Sequence, residues 1–150
     1  MEPGRNILYQ SLKAIFLHID NREKALFSKY DLSVARFYTL MHIYDHPGIT
    51  YIDLSDLMLC TKSNTTRVVR GLLADGCVLR KAHPIDGRSY KLYLTKKGKS
   101  LYSKVQPAYL THIDRLMSSF NQEELAEYTE VSQRIEKTLA PDGSEAGSSK

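Results

Sequence analysis

At 150 residues the chain has the size of one globular unit, enough to bury roughly two thirds of the surface its unfolded form exposes. Its 42% hydrophobic and 25% charged residues, with eight Gly, five Pro and no Trp, exclude collagenous, low-complexity and wholly disordered readings. The net charge of +4 conceals an asymmetry, because residues 60–104 carry eleven Lys or Arg against two acids, Asp75 and Asp86, for a net of +9, while the remainder is net −5. Such a block is expected where one face meets a polyanion, although a solvated lysine-rich face has the same composition.

No apolar run approaches the roughly 20 residues of a membrane helix, and Met1-Glu2-Pro3-Gly4-Arg5 lacks the apolar segment of a secretion signal. The expected location is cytoplasmic. Cys60 and Cys77 match neither a disulfide framework nor a metal knuckle.

In chain order, Leu8, Leu12, Ile15, Phe16, Ile19 and Leu26 recur at three- and four-residue spacings and predict a long helix from about Arg5 to Lys29. Ser33 caps a second helix with Phe37, Leu40, Met41 and Tyr44 as its apolar stripe, stopped by His46-Pro47-Gly48. Thr50 and Asp53 resemble a capping box and open a short third helix to about Met58, with Ile52, Leu54 and Leu57 inward. Thr61 caps a fourth helix that ends at Asp75-Gly76, where Gly76 supplies a left-handed position. From Cys77 the period changes. Residues 77–83 and 90–94 read as two strands of a hairpin with a basic tip at Pro84 to Ser89. Thr95 then caps a fifth helix to about Phe120, kinked or broken at Pro107. Asn121 with Glu124 opens a sixth, whose stripe is Leu125, Tyr128, Ile135 and Leu139, and residues 140–150 read as a disordered tail.

Two short helices, a turn, a further helix and a hairpin form the winged variant of helix-turn-helix, which makes the fourth helix the element to enter a major groove. At 100° per residue Thr65, Val68, Val69 and Leu72 gather on one side, and Ser63, Thr66, Arg67 and Arg70 on the other. Guanidiniums read guanine bidentately and hydroxyls reach phosphates or base edges. A solvated surface helix with incidental arginines is the bland alternative. Arg88 on the hairpin tip is suited to a narrow minor groove, with Asp86 orienting it, while Lys62 and Lys91 are placed for phosphates. Asp86-Gly87 is equally an ordinary turn dipeptide.

The segment from Leu32 to Leu101 resembles the MarR family of winged-helix transcription regulators. The resemblance runs through LSVARFYTLMHI, ITYIDLSDLM, TKSNTTRVVRGLLADGCVLR and DGRSYKLYLTKKGKSL. Its most specific part is the D-x-R wing followed by leucine-threonine and, three residues on, a glycine. The resemblance implies a mainly α fold with a small β-hairpin. It also implies a homodimer joined by residues 5–29 and 101–139 around a DNA-binding core at 32–100, the whole a single unit over 1–139. It places Ser63, Asn64, Thr66 and Arg67 at recognition-helix contacts and Arg88 as the wing arginine held by Asp86. It implies a repressor that binds a palindromic operator and responds to a small aromatic or phenolic effector, for which His18, Tyr38 and His42 are candidate liners. Gly71 and Arg70 stand where the family often has an arginine and an acid, which leaves the local ion pairing open.

No phosphate loop, HExxH or GxSxG occurs, so the chain reads as a protein without enzyme activity or cofactor. His18, His42, His46, His83 and His112 lack the spacing of a metal motif. Cys60, ahead of the recognition helix, is either a candidate oxidant sensor or a small semi-buried residue, and Cys77 reads as packing. The alternative from another class is a winged-helix module that binds a protein partner and touches DNA only non-specifically.

Overall fold

The computed structural model describes residues 1–87 and 89–141; Arg88 and residues 142–150 lie outside the described residues, and with them the wing arginine and nearly all of the tail expected to be disordered. The elements are α1 (Pro3–Ser28), α2 (Val34–Asp45), β1 (Ile49–Thr50), α3 (Tyr51–Met58), α4 (Lys62–Ala74), β2 (Val78–Ala82), β3 (Tyr90–Leu94), α5 (Lys96–Met117) and α6 (Gln122–Leu139). Two compact units are distinguished, Met1–Tyr109 and the chain from Leu110 onward.

The helix starts follow from short polar side chains that accept otherwise unpaired N–H groups. Ser33 accepts from Arg36, Thr50 from Asp53 and Thr61 from Asn64, each through its hydroxyl. Asn121 and Glu124 complete a reciprocal capping box on α6. Gly76 is left-handed at φ 73°, as its place after α4 requires. α5 passes unbroken through Pro107, so the expected break does not occur.

The wing sheet has three strands in the order β1-β3-β2, all antiparallel. The third strand was not expected, because two residues, Ile49 and Thr50, pairing with distant Leu92 and Lys91 carry no local pattern. β2 and β3 are in register as Val78 with Leu94, Arg80 with Leu92 and Lys81 with Lys91. Val78, Leu92 and Leu94 are buried on one face, which leaves Lys81 and Lys91 side by side on the other.

The core of the first unit is centred on Phe27 of α1 stacked on Phe37 of α2, with ring centroids 4.2 Å apart. Tyr102 and Tyr109 of α5 tilt against Phe37, and Leu40, Ile43, Leu54, Val69, Leu72 and Val105 complete the packing. Two expected stripes are corrected, those of α2 and α3. α1 keeps its apolar stripe, with Leu8, Ile15, Phe16 and Ile19 exposed, and its buried residues are Glu23 and Phe27. On α2 the stripe includes Ile43 and leaves Tyr44 exposed. On α3 Ile52 and Leu57 are exposed, Leu57 at the rim of a cavity, and the buried pair is Leu54 and Ser55. Ser55 lies inside because its hydroxyl is 2.9 Å from that of buried Thr65 on α4, a polar contact that periodicity of apolar residues cannot reveal.

Candidate nucleic-acid interface and the cavity behind it

α4 is held by its inner face and presents its outer one. Thr65, Val69 and Leu72 are buried, and the Thr65 hydroxyl, 1% exposed, sits within 3.0 Å of the Cys60 thiol and 3.1 Å of the Thr61 carbonyl. This cluster fixes the turn between α3 and α4, and therefore the rotation of α4 about its axis. Lys62, Ser63, Asn64, Thr66, Arg67 and Arg70 are all exposed. Thr66 donates its hydroxyl proton to the Lys62 carbonyl, which leaves its lone pairs outward. The ion pairing left open at Gly71 is supplied from α2. Arg36 crosses Gly71 and pairs with Asp75 at 2.5 Å, so a side chain at position 71 would collide with the guanidinium. Lys97 donates to the Asp75 carbonyl at 2.7 Å, placing a cation at the electronegative end of α4.

The wing adds a second basic element. Lys81 and Lys91 are directly opposed, a like-charge pair that is unfavourable alone and relieved by an anion between the two ammonium groups. Lys81 also lies over the Tyr93 ring, and Arg80 over Tyr90 with 4.4 Å from guanidinium to centroid. The loop beyond β2 is closed by His83, whose Nδ1 accepts the backbone N–H groups of Ile85 at 3.1 Å and Asp86 at 3.2 Å. Its own N–H donates to the Ser89 carbonyl at 2.8 Å. Asp86 accepts from the Ser89 hydroxyl at 3.2 Å and, through its carbonyl, from the Ser89 N–H.

His83 thus organises the loop as a short polar side chain organises an Asx turn, a role that sequence reading missed because histidine is not a usual residue for it. Replacing His83 with Ala should lower DNA affinity several-fold, on the order of one lost pair of neutral hydrogen bonds, about 1 kcal/mol. His83→Asn, which keeps an acceptor at that reach, should restore most of it. Equal losses for the two variants in titrations with one duplex would rule the positioning role out.

Behind α4 lies a cavity of about 690 Å³ bounded by α1, α2, α3 and α4. Phe16, Ile19, Val34, Leu57, Met58 and Val68 give it apolar walls, and Asp20, Glu23, Tyr38, His42, Cys60, Asn64 and Arg67 are its polar members. Of the three expected liners the structure brings in Tyr38 and His42. His18 is a correction: Phe16, Asp20 and Glu23 follow one face of α1 at helical spacing, and position 18 is rotated away from it into solvent. Tyr38 donates to the Glu23 carboxylate at 2.6 Å, and the Tyr109 hydroxyl lies 3.0 Å from that of Tyr38. Burial, and then the bond to Glu23, push the Tyr38 hydroxyl far above the ordinary tyrosine range. His42 is shifted the other way, below the usual imidazole value, chiefly by burial; nearby Asp45 opposes that shift and His46 reinforces it. Glu23 was missed, because a single acid in line with Phe16, Ile19 and Phe27 shows its role only beside Tyr38.

Among the described residues no three His, Cys, Asp or Glu side chains come together as a metal site, and no helix is long and apolar enough to cross a membrane. Cys77 is buried and Cys60 half-buried.

A model of the MarR family matches residues 32–90. The chain is 28% identical over 115 residues to the HTH-type transcriptional regulator BilQ of Clostridium symbiosum, covering 77% of this chain and 80% of that protein. It is 27% identical over 126 residues to the HTH-type transcriptional repressor YetL of Bacillus subtilis, covering 83% and 75%. Among solved structures, the MepR–DNA complex of S. aureus superposes with a TM-score of 0.80 at 18% identity, over 86% of this chain and 94% of that one.

Proposed function

We propose, from the match of residues 32–90 to the MarR family model, that the chain is a transcription regulator of that family that binds double-stranded DNA sequence-specifically as a homodimer, represses from a palindromic operator and is released by a small effector. It works by binding and not by turnover, in the cytoplasm. The observation that carries this reading is the outer face of α4, where two guanidiniums, two hydroxyls and an amide project from a helix whose rotation is locked by its buried side. Arg67 and Arg70 are the residues for base edges, with Ser63, Asn64 and Thr66 beside them. Lys62 at the start of α4 and Lys91 on β3 serve phosphates, and Lys81 joins Lys91 by virtue of the strand register. Asp86 and Arg88 of the wing tip complete the DNA-binding set, the latter on the strength of its place in the sequence of the hairpin tip and of the family resemblance.

Arg67 also supports the link between effector and DNA, because it lines the cavity and stands on the outer face of α4. An occupant that engages Arg67 or Asn64 from behind competes with DNA for the same side chains. An effector releases DNA only through such a difference in affinity between the two states. Tyr38 and His42 are the liners that present ring edges and hydrogen-bonding groups to it.

The test is anisotropy of labelled duplex from the region upstream of the gene, against random duplex, across a salt series. A preference of about a thousandfold or more, saturating at one dimer per site, is the expected result. Arg67→Ala should cost about 1 to 3 kcal/mol on the operator and much less on random DNA, whereas Lys62→Ala or Lys91→Ala should weaken both alike and reduce the salt slope by about one. Binding that ignores sequence for every genomic fragment tested would favour the protein-interaction module instead.

A further inference from the structure

We infer that the cavity behind α4 takes a monocationic amphiphile, an amine on an apolar or aromatic body, and not an aromatic acid; this rests on the effector reading above and narrows it. The inference starts from Glu23. The residue is 8% exposed and lines the cavity. Burying a carboxylate is costly unless an opposite charge accompanies it. The candidate partner next to it in sequence, Lys24, is turned to Asp20 at 2.7 Å, and among the described residues Glu23 takes part in no ion pair. What it has is the Tyr38 hydroxyl, which satisfies one oxygen with a hydrogen bond and supplies no charge.

Asp20, three residues before Glu23 and therefore on the same side of α1, adds a second carboxylate to the same wall, one whose charge Lys24 already matches, so the weight falls on Glu23. His42, across the cavity, is held toward its neutral form by burial, so it does not oppose a cation there. The lining guanidinium, Arg67, belongs to α4, on the wall formed by the recognition helix. The apolar lining is Phe16 and Ile19 of α1, Leu57 and Met58 of α3 and Val68 of α4, surfaces that favour hydrocarbon or ring contact. A ligand that fits this order of groups places its ammonium against Glu23 and Asp20 and its apolar body toward Met58 and Val68. An aromatic carboxylate in the same orientation brings a second uncompensated negative charge beside the buried Glu23.

The experiment uses the full chain and three probes sharing one fluorescent ring: naphthylmethylamine, naphthylmethanol and naphthylacetate, cation, neutral and anion at pH 7. Fluorescence anisotropy of the ring reads binding, and operator titrations with each probe read coupling. The amine is expected to bind at least about tenfold more tightly than the alcohol, with the acid weakest. Glu23→Gln, which keeps an acceptor for Tyr38, is expected to bring the amine down to the alcohol, with a melting curve to establish that the variant is folded. Should that variant not fold, the ranking of the three probes on the unaltered protein decides alone. An acid that binds as well as the amine, a folded Glu23→Gln protein that keeps the gap, or failure of all three to bind would overturn the inference. A tightly bound amine that leaves operator affinity unchanged would support the ligand class while refuting the coupling of this cavity to DNA.

Discussion

Aspartates at Leu8 and Ile15 together should convert the protein to a species of single-chain mass in sedimentation equilibrium and lower operator affinity by a factor of about 10² to 10⁴, the advantage that a second tethered half-site confers. The two side chains are 52% and 54% exposed on a helix whose inward packing is supplied by Phe27 and Glu23. With Leu12 and Ile19 they form a stripe at four-, three- and four-residue spacing, the pattern of a helix seam, and a contiguous exposed apolar face of that length is what the proposed interface between two copies would cover. In the second unit, Leu125, Val131 and Leu139 of α6 are likewise exposed. Because neither substituted residue packs in the core of the first unit, circular dichroism should still report a helical protein. A wild-type chain that sediments as a monomer while binding its operator fully would refute the dimer, and with it the pairing of two α4 helices about one DNA turn apart.

The sequence made the helix starts legible because a cap is a local event. Ser33, Thr61, Thr95 and Asn121 each act through an N–H three residues on, so type and spacing suffice. The outer face of α4 was legible for a related reason: one wheel divides Thr65, Val69 and Leu72 from Ser63, Thr66, Arg67 and Arg70, and the burial follows that division. What escaped was set by pairing across the chain. β1 exists through Leu92 and Lys91, Lys81 gains its meaning from lying opposite Lys91, and Ser55 is buried through Thr65. The apolar stripe of α1 was read correctly as a stripe, yet periodicity does not say whether a face meets the same chain or another. Glu23 was passed over because a single acid on an apolar face is conspicuous only once Tyr38 and the cavity are seen beside it.

Gly98→Ala should destabilise the fold by on the order of 3 kcal/mol, although a glycine in a helix interior ordinarily gains up to about 1 kcal/mol when replaced by alanine. The sign turns on what a methyl group at position 98 would meet. Gly98 is buried in the first turn of α5, and a Cβ there would come within 2.0 Å of the Cys77 carbonyl oxygen and 2.9 Å of its carbon. Both are backbone atoms. That carbonyl also accepts the N–H of Thr95 at 3.0 Å, while the Thr95 hydroxyl accepts the Gly98 N–H at 3.1 Å and donates to the Gly76 carbonyl at 2.6 Å. Thr95 and Gly98 together therefore clamp the end of β3 and the start of α5 onto the Gly76-Cys77 junction that follows α4, and nothing in the clamp is a flexible side chain able to move aside. Relief requires displacing either the start of α5, which carries Tyr102 and Val105 into the core, or residue 77, which leads into β2 and the wing. Gly71→Ala is the control. There the obstacle is the end of the Arg36 side chain, which can swing away at the expense of a half-exposed ion pair worth at most about 1 kcal/mol, so its melting temperature should change little. Chemical denaturation of the two variants side by side checks the argument, and a Gly98→Ala protein as stable as wild type would show that the α5 junction is not the rigid joint that its hydrogen bonds describe.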